Sequence, residues 1–220
     1  MFKKHKIYEL NADSQLEKYR KLLLQTPIAI IDDEGLPETK TDGLRRHGYK
    51  IEEISDVEQI RQLEAYPIVI SDVDGVATKL DPENHGLGLI RLLAKNYPFK
   101  GLGVYSGKTH SLPILPEDTL IIQKDDELEK WTEKIDTLIS SVADPIMVWR
   151  RFAKKLIDAG ISAYDLEKLE DAYVKSILKG ESPDSIKDLN LLPSTSSFKG
   201  IVDSLIANGI FLGISKILSV

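Results

Sequence analysis

Five short segments recur along residues 28–122, four of them apolar and one, 49–54, alternating, and a polar or charged residue follows each of them. An uninterrupted apolar run such as Ile28 to Ile31 suits a strand that is buried on both faces of a parallel sheet. The five segments are 28–31, 49–54, 68–70, 102–105 and 120–122, and segments with helical spacing lie at 38–46, 56–63, 86–96 and 126–142. Strands that alternate with helices predict an α/β fold with an open, doubly wound, five-stranded parallel sheet.

The strand pattern stops near Asp144-Pro145. Helical periodicity continues at 146–159 and 163–178, with a shorter candidate at 183–189 and a last one at 198–218, and a further amphipathic segment precedes the first strand at 16–24. We therefore expect three parts: an N-terminal helical extension over 1–26, a sheet domain over 27–143, and a small all-α domain over 145–220.

Composition narrows the function classes. The 220 residues include no cysteine, which excludes a disulfide scaffold, a cysteine-ligated metal site and a thiol nucleophile. The net charge of −6 divides into −7 on residues 1–144 and +1 on residues 145–220. This acidic balance argues against nucleic-acid binding through the whole surface, and no segment stands out as a DNA-recognition helix. No apolar signal segment opens the chain, and we expect a cytoplasmic protein.

The most apolar stretch is the last one, residues 200–220. Its uncharged run between Asp203 and Lys216 has 12 residues, well short of the ~20 that a membrane-spanning helix needs. The favoured interpretation is a helix buried in its own bundle or in a homodimer interface formed by the C-terminal helices. The alternative is attachment to a membrane surface.

Polar residues stand where the predicted strands end. Asp32 and Asp33 follow the first strand, Asp72 and Asp74 the third, Ser106 the fourth and Lys124 the fifth. Ligands of a doubly wound sheet bind outside the carboxyl ends of its strands. Carboxylates can hold Mg²⁺ there, and an aspartate beside the metal can attack phosphorus to form an aspartyl phosphate. A hydroxyl and an ammonium can pair with the phosphoryl oxygens.

On these residues, the segment 27–143 resembles the receiver domain of two-component response regulators, which has a flavodoxin-like fold. The intervals of 39 residues from Asp33 to Asp72, 34 from Asp72 to Ser106 and 18 from Ser106 to Lys124 are compatible with that family. The sequence GLGLIRLLAKNY at 86–97 is similar to a receiver's third helix.

The resemblance implies a role for each of these residues. Asp72 would accept the phosphoryl group, and Ser106 and Lys124 would bind it. Asp32, Asp33 and Asp72 would hold Mg²⁺, aided by the main-chain carbonyl of Asp74. It further implies a bacterial signalling protein rather than an enzyme, phosphorylated by a histidine kinase or a phosphotransfer protein, with the helical domain as its output or interaction domain.

Four positions depart from the family pattern. Gly75-Val76 stands where receivers usually have Met-Pro or a similar pair, Asp125 stands where proline usually follows the lysine, and Ile121 replaces an aromatic residue. A degenerate receiver that is never phosphorylated and acts as a protein-interaction adaptor is therefore one alternative.

The segment 69–76 (VISDVDGV) supports a second alternative, because it also resembles the first motif of haloacid dehalogenase phosphatases. In that case Asp72 is the nucleophile and Asp74 the general acid/base.

Overall fold

Five parallel strands form one sheet in the described residues, in the order β2-β1-β3-β4-β5. They are β1 (Ile28–Ile31), β2 (Ile51–Ile54), β3 (Ile68–Asp72), β4 (Gly101–Ser106) and β5 (Leu120–Gln123). The order reverses between β1 and β3, as in flavodoxin-like doubly wound sheets. The predicted fold class is confirmed.

The burial of each strand follows its place in the sheet. All residues of the three central strands, β1, β3 and β4, are buried, whereas the edge strands β2 and β5 each have one buried residue, and their other residues are partly or fully exposed. Central strands covered on both faces must be apolar throughout, which explains the uninterrupted runs in the sequence.

The structure is a computed structural model that describes residues 4–10, 24, 27–107, 112–179 and 201. Its helices are α1 (Glu38–Arg46), α2 (His85–Asn96), α3 (Leu128–Ala143), α4 (Pro145–Asp158) and α5 (Ala163–Lys179). The predicted helix at 16–24, those at 183–189 and 198–218, and the apolar stretch 200–220 fall, apart from single positions, outside the described residues.

One predicted helix is wrong. Within 56–63 only a short 3₁₀ helix forms, at Ile60–Leu63. Asp56 does not cap it; its carboxylate accepts hydrogen bonds from the N–H of Val57 and of Ala77, at 2.8 and 2.6 Å. Asp56 therefore holds the loop that follows β3 through Ala77, which lies 21 positions away in the chain. The local sequence does not reveal such a distant partner.

Both faces of the sheet are covered. On one face, residues of β1, β3 and β4 pack with α2 and the segment around the 3₁₀ helix, in a cluster that includes Ala29, Ile31, Val69, Leu89, Ile90, Leu93, Leu102 and Val104. On the other face, Tyr105 of β4 makes an edge contact with Trp131 of α3, with ring centroids 5.3 Å apart. This two-sided packing fixes the sheet and thereby the edge at which its carboxyl ends meet.

The chain divides into two compact units, residues 23–141 and residues 1–22 together with 142–220. In the second unit, Asp144 caps α4 by accepting the N–H of Ile146 at 2.7 Å. Trp149 packs against Tyr173, whose hydroxyl donates to the carbonyl of Pro145 at 2.7 Å. None of the helices in the described part of the chain has the length and hydropathy needed to cross a bilayer.

Candidate functional site

The carboxyl ends of β1, β3, β4 and β5 bring the predicted site residues to one edge of the sheet. Asp72 closes β3 and pairs with Tyr105, so Ser106 lies one residue further along the neighbouring strand. Ser106 in turn pairs with Gln123, the residue before Lys124. The parallel register alone therefore places these three predicted residues on adjacent strand ends.

Three carboxylates converge at the point where the strand order reverses. Asp32, Asp33 and Asp72 each offer an oxygen atom, and these atoms lie within 4.8 Å of one another. Asp32 and Asp72 are buried, with 5% and 8% of their surface exposed, whereas Asp33 is exposed. Hard oxygen ligands with a surplus of negative charge suit a divalent cation such as Mg²⁺, so this cluster could hold one.

Asp74, the fourth residue predicted to serve the metal, lies differently. Its side chain is exposed and is not a member of the cluster. The resemblance assigns the main-chain carbonyl of Asp74, not its carboxylate, to the metal, and that role stays a prediction.

Asp32 is the most strongly held of the three carboxylates. One oxygen accepts the N–H groups of Glu34 and Gly35 at 2.8 and 3.0 Å, and the other accepts a short hydrogen bond from the hydroxyl of Tyr105. Burial tends to raise the pKa of Asp32, but these hydrogen bonds and the nearby ammonium of Lys124 outweigh it and hold the pKa below its ordinary value. Asp32 is therefore a fixed anion.

Lys124 links two of the carboxylates. Its Nζ lies 3.0 Å from Oδ2 of Asp72 and 3.6 Å from Oδ2 of Asp32. Burial lowers the pKa of Lys124, but the hydrogen bond to Asp72 and the charges of both aspartates outweigh it, so that pKa lies above its ordinary value. The three carboxylates and the ammonium of Lys124 together carry a formal charge of −2, which a divalent cation would balance.

Asp72 is also fixed by its own backbone and by a close approach. One oxygen accepts the N–H of Val73 at 2.7 Å, while the other faces Lys124. Gly86, near the start of α2, passes so close that a Cβ there would lie 1.7 Å from the carbonyl oxygen of Asp72. Only glycine fits at this position, and its N–H donates to the carbonyl of Val73.

Gly75, in the loop after β3, lies close to the side chain of Asp33. Its φ of +76° suits glycine, and a Cβ there would meet the carboxylate of Asp33 at 2.5 Å. A side chain at position 75 would therefore displace Asp33, so Gly75 keeps the loop after β3 close to the acidic cluster.

Tyr105 is a site residue that the sequence analysis missed. Its hydroxyl donates to Asp32, and its ring faces the ammonium of Lys124 at 5.7 Å from the centroid. Burial and the hydrogen bond to Asp32 raise the pKa of Tyr105, so the phenol remains a donor. The available signal is a phenol at the penultimate position of β4, beside β3, which ends in the carboxylate of Asp72.

The strand order, the acidic cluster and the lysine, all within residues 23–141, have the arrangement that the resemblance to receiver domains led us to expect. In comparisons with known proteins, no family model matches the chain and no curated protein matches it. Among solved structures, the chain is similar to full-length FixJ from B. japonicum at 14% sequence identity, with a TM-score of 0.41, over 86% of this chain and 98% of that one.

Proposed function

We propose that this protein is a signal-transduction response regulator whose receiver-like domain accepts a phosphoryl group on Asp72. The observation that carries the proposal is the convergence of Asp32, Asp33 and Asp72 with the ammonium of Lys124 at one edge of the sheet. A nucleophilic carboxylate, a set of metal-binding oxygens and a phosphate-binding cation are the three parts that aspartyl phosphorylation needs.

The transfer step follows from the chemistry of the donor. An oxygen of Asp72 forms a bond to phosphorus as the bond from phosphorus to an imidazole nitrogen of the donor breaks, and the electron pair of that bond stays on the nitrogen. The donor is a histidine kinase or a phosphotransfer protein. Asp32, Asp33 and Asp72 would hold Mg²⁺, which would supply positive charge to offset the charge on the phosphoryl oxygens.

Lys124 and Ser106 would bind the transferred group. The ammonium of Lys124 already faces the acceptor oxygen of Asp72, so it needs only to exchange a carboxylate oxygen for a phosphoryl oxygen. Ser106 is buried at the adjacent strand end and offers a hydroxyl. The resulting shift of these two residues changes the surface that the helical domain or a partner recognises.

The test uses the full chain with Mg²⁺ and beryllofluoride, a mimic of the phosphoryl group. We expect both additions to raise the melting temperature of the parent protein and of Asp74→Asn, because the side chain of Asp74 lies outside the cluster. Asp72→Asn should respond to beryllofluoride with no shift. A small-molecule phosphodonor should add the mass of one phosphoryl group to the parent and none to Asp72→Asn.

Two outcomes contradict the proposal. A parent protein that responds to neither reagent, and that behaves like Asp72→Asn, would instead be a protein-interaction adaptor. Rapid turnover of a phosphate ester that depends on Asp74 would indicate the phosphatase alternative.

A further inference from the structure

A lysine on α1 holds the turn from which Lys124 reaches the site. The Nζ of Lys40 donates hydrogen bonds to the main-chain carbonyls of Lys124 and of Asp126, both at 2.9 Å. These partners lie 84 and 86 positions away in the sequence. One ammonium therefore joins α1 to the first and third residues of the turn that follows β5.

The surroundings of Lys40 give its ammonium a defined place. It lies 5.0 Å from the ring centroid of Trp131, which is fully buried in α3. Two carbonyl acceptors and an aromatic face restrict a side chain that would otherwise be free to move in solvent. The lysine is thus built into the packing between α1, α3 and the turn.

The position of Lys40 within α1 is locally unfavourable. It is the third residue of the helix, where the unpaired N–H groups and the helix dipole favour an anion. A cation at this end is compensated by the carbonyls of the turn rather than by anything within α1. A cation at a helix N-terminus, where an anion is preferred, indicates that its contacts with a distant segment matter more than the local stability of the helix.

The other contacts of the turn hold its N–H groups and the side chain of Asp126, and not the carbonyls that Lys40 binds. The N–H of Lys124 donates to the carbonyl of Ser106 at 3.1 Å, and the N–H of Asp126 donates to the carbonyl of Gln123 at 3.1 Å. The carboxylate of Asp126 points back to the N–H of Gln123 and to Lys130 and Lys134. Lys40 alone among these contacts ties the carbonyls of residues 124 and 126 to a helix.

We propose that Lys40 is a positioning residue: by holding the carbonyls of Lys124 and Asp126, it orients Lys124 toward Asp72. This inference takes its functional meaning from the proposed phosphoryl site, but the placement of Lys124 that it describes exists before any ligand binds. It also assigns a role to the turn at 124–126, in which Asp125 replaces the usual proline.

The test compares Lys40→Met, which keeps the length of the stem but removes the ammonium, with Lys40→Arg, which keeps hydrogen-bond donors. Competitive acetylation of the ligand-free full-length protein, read by peptide mass spectrometry, reports how far the amine of Lys124 is protected by Asp72. We expect Lys124 to react about tenfold faster in Lys40→Met, the effect of losing one charge-assisted hydrogen bond, and near the parent rate in Lys40→Arg.

The matched control is Lys130→Met. Lys130 contacts the same turn, but through the carboxylate of Asp126 at 3.3 Å and not through a backbone carbonyl. Acetylation of Lys124 in this variant should match the parent. An unchanged rate at Lys124 in Lys40→Met overturns the proposal, as does an equal increase in Lys130→Met.

A second measurement separates this proposal from the proposed function. At saturating Mg²⁺, Lys40→Met should bind beryllofluoride about tenfold more weakly than the parent, with an affinity for Mg²⁺ alone that is no weaker than the parent's. If the parent does not bind beryllofluoride, the phosphoryl function fails while acetylation still decides the role of Lys40. Should Lys40→Met not fold by circular dichroism, Lys40→Leu, which likewise has no hydrogen-bond donor, takes its place in both measurements.

Discussion

The Nζ of Lys124 lies 3.0 Å from Oδ2 of Asp72, although 52 positions separate the two residues in the chain. The contact joins the ends of β3 and β5, strands between which β4 lies in the sheet. It places a positive charge beside the carboxylate that we propose as the phosphoacceptor, and the first prediction follows from this.

Replacing Lys124 by methionine should strengthen Mg²⁺ binding. The ammonium neutralises part of the charge on Asp72 and Asp32 and repels a second cation at the same oxygens. Its removal should tighten the dissociation constant for Mg²⁺ about tenfold, as estimated from a charge at this range in a partly solvated site. Isothermal titration calorimetry measures the change, with Lys130→Met as the control. Weaker binding in Lys124→Met would show that the lysine supports the metal site instead.

Removing the hydroxyl of Tyr105 should destabilise the sheet domain. Tyr105→Phe removes the hydrogen bond that the hydroxyl donates to Asp32, a buried carboxylate. The free energy of unfolding should fall by about 1–3 kcal/mol. Urea denaturation at neutral pH measures this cost. The matched control is Tyr66→Phe, which removes a hydrogen bond to the partly exposed carboxylate of Glu52 and should cost less than about 1 kcal/mol. Equal losses in the two variants would contradict the special role of Tyr105.

Adding one methyl group at Gly86 should displace the backbone at Asp72 and destabilise the sheet domain. The new Cβ in Gly86→Ala cannot be accommodated at 1.7 Å from the carbonyl oxygen of Asp72, so the start of α2 or the end of β3 must move. We expect a loss of more than about 3 kcal/mol in the free energy of unfolding. Gly107→Ala, at a position where a Cβ meets nothing within 4 Å, should stay within about 0.5 kcal/mol of the parent. Thermal denaturation distinguishes the two, and similar melting temperatures would refute the close approach.

Lys100 should make stability rise with pH in the alkaline range. Its ammonium is buried and donates to the carbonyls of Glu64 and Tyr66, and burial, only partly opposed by the charge of Glu64, lowers the pKa of Lys100 to about 8. The folded protein therefore loses this proton above pH 8, whereas the unfolded chain keeps it up to the ordinary lysine pKa of 10.5. Because the unfolded state binds more protons in that window, the free energy of unfolding rises with pH there.

The measurement is urea denaturation of the parent and Lys100→Met at about pH 7.5 and pH 9.5. Between these values, the stability of the parent relative to Lys100→Met should increase by about 2 kcal/mol. Lys95→Met, which removes an exposed lysine from the end of α2, should show no such difference. If the free energy of unfolding changed with pH equally in the parent and in Lys100→Met, Lys100 would keep its proton from about pH 7.5 to pH 9.5.

The sequence by itself determined the strands, their order of appearance and the polar residues at their ends. A strand with an uninterrupted apolar run such as Ile28 to Ile31 must be buried on both faces. The pattern therefore favours a parallel sheet with helices on both sides. The convergence of Asp32, Asp33 and Asp72 then followed, because the carboxyl ends of parallel strands share an edge. The helix predicted at 56–63 was wrong because Asp56 bonds to the distant Ala77.

Only the tertiary structure revealed Tyr105, Gly86 and Lys40 as parts of the site. Each contacts a residue on another element of the fold: Tyr105 contacts Asp32, Gly86 the backbone of Asp72, and Lys40 the carbonyls of Lys124 and Asp126. Hydrogen bonds and steric fit depend on distances of a few ångströms, which no periodicity in the sequence encodes. The hydrophobic pattern thus determines the sheet and the edge at which the site residues lie. Packing between strands and helices determines which other side chains contact the site.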